Sequence, residues 1–246
     1  MSAMFKPSKQ VMNDMVQQCL GDEYTMLGSV CLQATHMAVF ISHRLSLLVS
    51  DLSTETVATG FKGMMGNKGA VMIKFKLLDQ ELLFINCHLH SGLNGVSNRN
   101  SDIAQIMTRF VYRPSAKKTA IAPPQNPPDV IILMGDLNYR ISGYKPSILQ
   151  SMAQDHYDIL LQHDQLTMES KLGNIPDIFK EGDIHFAPTF KRKPYDNNTF
   201  KLKRNPAWTD RILFHCDCEQ QPCRLQLKSY DSNNMVNISD HRPVFA

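Results

Sequence analysis

Long apolar runs are missing from this chain of 246 residues. No stretch approaches the roughly 18 consecutive apolar residues of a membrane-spanning helix. The opening MSAMFKPSKQ has no apolar block of the kind that directs secretion. From these two absences a cytoplasmic location is expected. Cysteine is sparse too: six residues, at 19, 31, 87, 216, 218 and 223, too few and too scattered for a disulfide framework. Reduced thiols are therefore expected. His215, Cys216, Cys218 and Cys223 offer zinc donors, but no second Cys-x-x-Cys knuckle completes a site. No internal repeat or low-complexity tract occurs, which excludes a solenoid.

Net charge is small as well, +3, yet it is unevenly spread. Residues 191–205 (KRKPYDNNTFKLKRN) hold six Lys or Arg against one Asp, and the remainder carries 20 basic and 22 acidic residues. The positive charge is thus local, either a solvated basic ribbon or a surface for an anion. With 43% hydrophobic and 20% charged residues, the composition is that of an ordinary globule, and the length suits one large core.

The most informative stretch is Val130 to Arg140, VIILMGDLNYR. Five apolar residues read as a strand buried on both faces, and Gly135 permits a sharp turn. Asp136 and Asn138 then project from the strand's end. The bland alternative is an Asx turn at a strand terminus.

Upstream, Ser8 precedes Val11, Met12, Met15, Val16, Cys19 and Leu20 at helical spacing, with Gly21 as a stop. An amphipathic helix covering a sheet is expected there. Strands are expected at Met26–Gln33, His36–Ser42 and Leu45–Val49. Thr56 to Gly69 contains glycines at 60, 63, 66 and 69 and reads as a loop whose amides approach something, with Asn67 and Lys68 facing an anion. Phe61, Met64 and Met65 in it are either buried anchors or an apolar tip at a membrane surface.

A hairpin over Ala70–Leu78 and Glu81–Cys87 delivers His88 at its end, and a helix capped by Ser97 follows. Pro146 starts another helix. Asp210 leads into an apolar strand, Ile212 to Phe214. A charge at that mouth needs a partner, and a histidine is expected to face it. The chain closes on Ser239-Asp240-His241-Arg242-Pro243-Val244.

Four strand ends therefore carry His88, Asp136 with Asn138, Asp210, and Asp240 with His241. Together they supply bases, orienting groups and metal-compatible oxygens for attack on a phosphate. ILMGDLNYR at 132–140 and RNPAWTDRIL at 204–213, with GNKGAV, N-x-H-L and SDHRPV patterns at Gly66, Asn86 and Ser239, resemble the inositol polyphosphate 5-phosphatases of the DNase I-like group.

The resemblance implies an α/β (α+β) fold, a four-layer DNase I-like β-sandwich flanked by helices, with residues 1–246 as a single incomplete catalytic domain. It implies removal of the 5-phosphate from phosphoinositides or soluble inositol polyphosphates, with Mg²⁺, at the cytosolic face of membranes, and no nucleic acid. On matching positions Asp136 would orient the water, Asn138 hold the scissile phosphate, Asp240 orient His241 and contribute to the metal site, and Asp210 pair with His88. Lys191, Arg204 and Arg140 would meet substrate phosphates, and the loop at Phe61, Met64 and Met65 a membrane.

Leu133 and Phe190 replace the family's usual tryptophan and tyrosine. The family's opening Trp-Asn and Gln-Glu strands, the latter supplying a metal-binding glutamate, have no counterpart before residue 50; Glu23 does not match. A head-group-binding protein without turnover and a nuclease of the same fold are the alternatives.

Overall fold

The structure is a computed structural model describing residues 6–60, 65–112, 127–197, 199–216 and 225–246. Two compact units emerge: Met1–His88 with Ala104–Leu133 and Cys216–Arg224, and Leu89–Ile103 with Met134–His215 and Leu225–Ala246.

In the first unit, helix α1 (Lys6–Leu20) leads into strands β1 (Tyr24–Leu32) and β2 (Thr35–Ser42), an antiparallel pair. Helix α2 (His43–Ser46) then stands where a strand from Leu45 was expected. Strands β3 (Val49–Gly60), β4 (Met65–Leu77) and β5 (Gln80–His88) form an antiparallel meander. Strand β6 (Val130–Asp136) continues this unit's strand order as β3-β4-β5-β6. Both faces of the hairpin are buried: Val71, Ile73 and Phe75 lie on one, Ala70 and Met72 with Leu83 and Ile85 on the other.

One expectation fails in this meander. Much of the glycine-rich segment is strand: Thr56 pairs with Val71, Val57 with Ala70 and Ala58 with Gly69. Gly69, at φ 139°, is required by close approach, since a Cβ there would lie 2.0 Å from the Val57 carbonyl oxygen. Phe61 and Met64 fall outside the described residues, as does the side chain of Met65.

Helix α1 ends at Gly21 (φ 72°) as expected, but it starts before Ser8. It also turns its apolar stripe outward, with Val11 55% and Met15 60% exposed. The side toward β1 is polar. Asn13 donates to Ser29 Oγ at 3.1 Å, and Gln17 Nε2 donates to the carbonyls of Gly21 and Tyr24 at 3.1 and 2.6 Å. Side-chain hydrogen bonds, not apolar burial, fix the face presented.

The second unit takes over β6 at Met134 and continues as β6-β8-β7, with β7 at Lys180–Glu181 and β8 at Asp210–Cys216. Helices α4 (Lys145–Ala153), α5 (Tyr157–Gln162) and α6 (Gln165–Lys171) surround a core of Ile141, Ile148, Leu160, Ile184, Phe186 and Trp208. Helix α3 (Val96–Phe110) precedes β6 in the chain. Pro146 sits in the first turn of α4, and Asp164 caps α6 by accepting from Thr167 N at 3.0 Å. Strands β9 (Asp231–Ser232) and β10 (Val244–Phe245) pair near the C-terminus.

Trp208 is fully buried, its indole N–H donating to Phe186 O at 2.9 Å. Arg211 beside it meets Asp164 at 2.8 Å and both oxygens of Glu181 at 2.6 and 2.7 Å. This ion network resolves the charge at the mouth of β8.

Candidate active site

The site grows from two neighbouring strand ends in the second unit. Strand β6 takes Gly135 through φ 121° and ends at Asp136, and Asn138 adopts φ 58°, a left-handed conformation that asparagine tolerates. The turn is closed by Asn138 N donating to Asp136 Oδ1 at 3.1 Å and tied to β8 by Leu137 N donating to Thr209 O at 2.7 Å. The Asx turn named as the bland alternative is therefore present, and it is also the device that aims Asp136.

Asn138 is 3% exposed. Its Nδ2 donates to Leu89 O at 3.0 Å, while its Oδ1 accepts from Arg140. One amide hydrogen is what it has left for a phosphate. Arg140, expected at the substrate, is instead buried behind the turn. Its Nε donates to Asn138 O at 3.0 Å, and its guanidinium lies 4.4 Å from the Phe190 ring centroid. Burial pushes its pKa down to about 10, against the pull of Asp136. Arg140 holds Asn138.

The histidine facing Asp210 is His241. Its Nδ1 lies 2.9 Å from Asp210 Oδ2 and 3.1 Å from Oδ1. Two threonines complete the clamp: Thr189 Oγ1 donates to Asp210 Oδ2 at 2.7 Å and Thr209 Oγ1 at 2.9 Å. The backbone sets this meeting, because Arg242 N donates to Thr189 O at 3.1 Å and Phe190 exchanges two hydrogen bonds with Ala207. Phe190 lies against the imidazole, ring centroids 4.7 Å apart.

Asp240 is not the partner of His241. Its carboxylate meets Lys191 Nζ at 3.1 Å. Burial favours its neutral form, but Lys191 and the charge of His241 outweigh that and lower its pKa. For His241 burial works against the charge, yet Asp210, then Asp136 and Asp240, raise its pKa above 6.5. These carboxylates shift the balance toward the imidazolium.

Asp136, Asp210 and His241 place one ligand atom each within 4.8 Å of one another. This group, rather than Asp240, is the candidate metal site. The carboxylates are hard oxygen donors of the type magnesium takes, usually one or two from protein with the rest from water and substrate phosphate. The donor set therefore fits a divalent cation held by Asp136 with help from Asp210. A His241 charged through Asp210 stays outside the coordination shell.

Of the remaining expected residues, Arg204 is exposed on the basic segment, where its charge reaches Arg140. That segment folds back as a ribbon, with Lys193 N donating to Thr199 O and Lys201 N to Lys191 O, both at 2.8 Å. His88, Lys68 and Asn67 belong to the first unit. There Gly69 pairs with His88 across β4 and β5, and Lys68 Nζ lies at His88 Nε2. Asn67 is exposed. Cys218 and Cys223 lie outside the described residues. Thr189 and Thr209 carry no functional signal of their own in the sequence, although APTF and WTDR put both beside Phe190 and Asp210.

Comparison with known proteins decides the family. The profile of the endonuclease/exonuclease/phosphatase family 2 matches residues 2–246. The chain belongs to this family, among the inositol polyphosphate 5-phosphatases. It is 32% identical over 243 residues to the type IV inositol polyphosphate 5-phosphatase 11 of Arabidopsis thaliana, covering 97% of this chain and 70% of that protein. It is 33% identical to the synaptojanin of Caenorhabditis elegans over 91% of this chain and 19% of the relative, so it spans about a fifth of that protein's length.

Among solved structures it resembles the inositol polyphosphate 5-phosphatase domain of a synaptojanin in complex with inositol (1,4)-bisphosphate and a calcium ion. That likeness has a TM-score of 0.77 and 30% identity, over 92% of this chain and 63% of the other. A Cimex nitrophorin mutant in its ferrous NO complex matches with a TM-score of 0.76 at 21% identity, over 98% of this chain and 79% of that one. The second likeness is one of fold alone. The fold is the mixed α/β DNase I-like one, and the family match extends upstream of Gly66, where the first of the motifs quoted above stands.

Proposed function

We propose that this 5-phosphatase relative is a Mg²⁺-dependent phosphoric monoester hydrolase that removes the 5-phosphate from phosphoinositides or soluble inositol polyphosphates. The observation that carries the reading is the Asp210–His241 pair, clamped by two threonine hydroxyls within reach of Asp136. His241 presents Nε2 away from Asp210, as a charged donor for a phosphoryl oxygen whose negative charge grows during transfer. Asp136, aimed by its turn, orients the attacking water and accepts its proton. The second amide hydrogen of Asn138 supports the scissile phosphate. Lys191 and Arg204 bring positive charge to a neighbouring phosphate. A divalent cation at Asp136 and Asp210, when bound, supplies charge neutralisation for the phosphate and the sugar alkoxide leaving group.

The substrate would be met in the cytoplasm, at the cytosolic face of membranes, where Phe61, Met64 and Met65 would touch lipid. Head-group binding without turnover is the second reading. It draws on how fully Asp210 is engaged, with three donors already on its carboxylate. The test is phosphate release from inositol 1,4,5-trisphosphate with Mg²⁺ against the same mixture with chelator. Release that stops on chelation and is lost in Asp136→Ala supports hydrolysis; binding with no release at any Mg²⁺ level supports the second reading. Plasmid nicking by the same preparation would place the chain with nucleases.

A further inference from the structure

A second carboxylate–imidazole pair stands in the same unit, and the mechanism above does not use it. His90 follows Leu89, and Asp102 lies in α3. One oxygen, Asp102 Oδ2, accepts from both His90 N at 3.0 Å and His90 Nδ1 at 2.6 Å. Asp102 is 1% exposed, so a carboxylate has been taken out of water to grip one histidine. The His90 side chain is itself 30% exposed, and its Nε2 has no partner among the described residues. The ring is thus fixed at one nitrogen and open at the other, an arrangement that presents Nε2 to something outside.

The backbone around it ties it to the site described above. Leu89 is pinned to the catalytic turn on both sides, its N–H donating to Asp136 O at 3.0 Å and its carbonyl accepting from Asn138 Nδ2 at 3.0 Å. Arg99 then fastens the next residues, donating to the carbonyls of His90 at 3.1 Å and Gly92 at 2.7 Å. Its other nitrogen reaches Gln165 Oε1 at 2.7 Å, the atom that also accepts from Arg140 N at 3.0 Å. His90 and the Asp136–Arg140 turn are therefore held in one rigid frame.

We propose that His90 is a substrate-binding residue, its Nε2–H donating to a phosphate oxygen of the head group other than those met by Lys191 and Arg204, with Asp102 as its positioning residue. A ring whose Nδ1 is gripped by a carboxylate can turn its Nε2–H outward, and a hydrogen bond from that N–H to a phosphate oxygen is charge-assisted by the anion. The inference rests on the hydrolase reading for its substrate.

The test measures KM and kcat for inositol 1,4,5-trisphosphate in the whole chain, and Kd for the same compound by calorimetry with Mg²⁺ withheld. His90→Ala is expected to raise KM and Kd about tenfold, leaving kcat within about twofold, with a lower melting temperature because buried Asp102 loses one of its two donors. His90→Gln, which returns a donor near the Nε2 position, recovers part of the loss. Asp102→Asn is expected to raise KM less and to shift the His90 ring nitrogen resonances. Unchanged KM and Kd in His90→Ala overturn the proposal, as does a fall in kcat alone. Should the wild type bind the compound yet release no phosphate, hydrolysis fails while Kd still decides His90. Binding by neither wild type nor variant sinks both.

Discussion

His241 illustrates how facing carboxylates, Asp210 foremost, can outweigh burial in moving a pKa. Its folded pKa is raised, so the charge on the imidazole adds stability that is fully present below the ordinary value of 6.5 and lost as pH rises through the raised value. Replacing Asp210 with Asn keeps an acceptor but removes the charge. In chelator-treated protein, where no cation competes, the His241 resonances should titrate above 6.5 in the wild type and markedly lower in Asp210→Asn. Phosphate release should fall about 100-fold or more, the scale of losing one charged stabiliser of the transferring group. An unmoved titration would mean that Asp136 and Asp240, not Asp210, keep the ring charged. Arg140 is the other decisive residue. Arg140→Met removes both ties to Asn138 and is expected to reduce kcat about tenfold or more, with a stability loss of about 2 kcal/mol read by denaturant unfolding.

Elements carry their own constraints, and β4 depends on Gly69. A Cβ there would meet the Val57 carbonyl at 2.0 Å, at a φ of 139° that side chains avoid. Gly69→Ala should therefore destabilise the first unit by about 3 kcal/mol, or force a register slip detectable as lost amide protection at Val57 and Ala58. In β8, Arg211→Met leaves Asp164 and Glu181 without their cation and should cost about 3–5 kcal/mol.

These elements also show what a sequence can say. Strands β6 and β8 were legible because strands with one face buried and the other largely covered carry unbroken apolar runs, and charges at their mouths had to be functional or paired. The partner of His241 was not legible. Asp240 adjoins it in the chain, yet the contact is decided by Arg242 bonding Thr189, a long-range register that one-dimensional adjacency cannot express. The outward face of α1 was hidden for a similar reason: its apolar spacing is a property of the helix, while Asn13 and Gln17 chose the side that faces β1. Glycine density misled at Gly69, where close strand approach, not a loop, needs the missing side chain.

At the scale of the whole molecule, charge is arranged more tellingly than it is summed. Six of the 26 Lys and Arg residues fall between 191 and 205, while the rest of the chain is slightly acidic. Such a field draws a multiply charged anion toward one region and weakens as salt shortens its reach to about 8 Å at physiological ionic strength. Lys201 and Lys203 are exposed, so reversing them removes field without opening the core. Lys201→Glu with Lys203→Glu is expected to raise KM for inositol 1,4,5-trisphosphate about tenfold at low salt, with kcat and thermal stability retained. The gap between variant and wild type should then close as sodium chloride is raised toward 0.5 M, because distant charges are screened while the direct contacts of Lys191 and His241 persist. A gap that salt does not narrow would mean that these lysines touch the substrate rather than steer it.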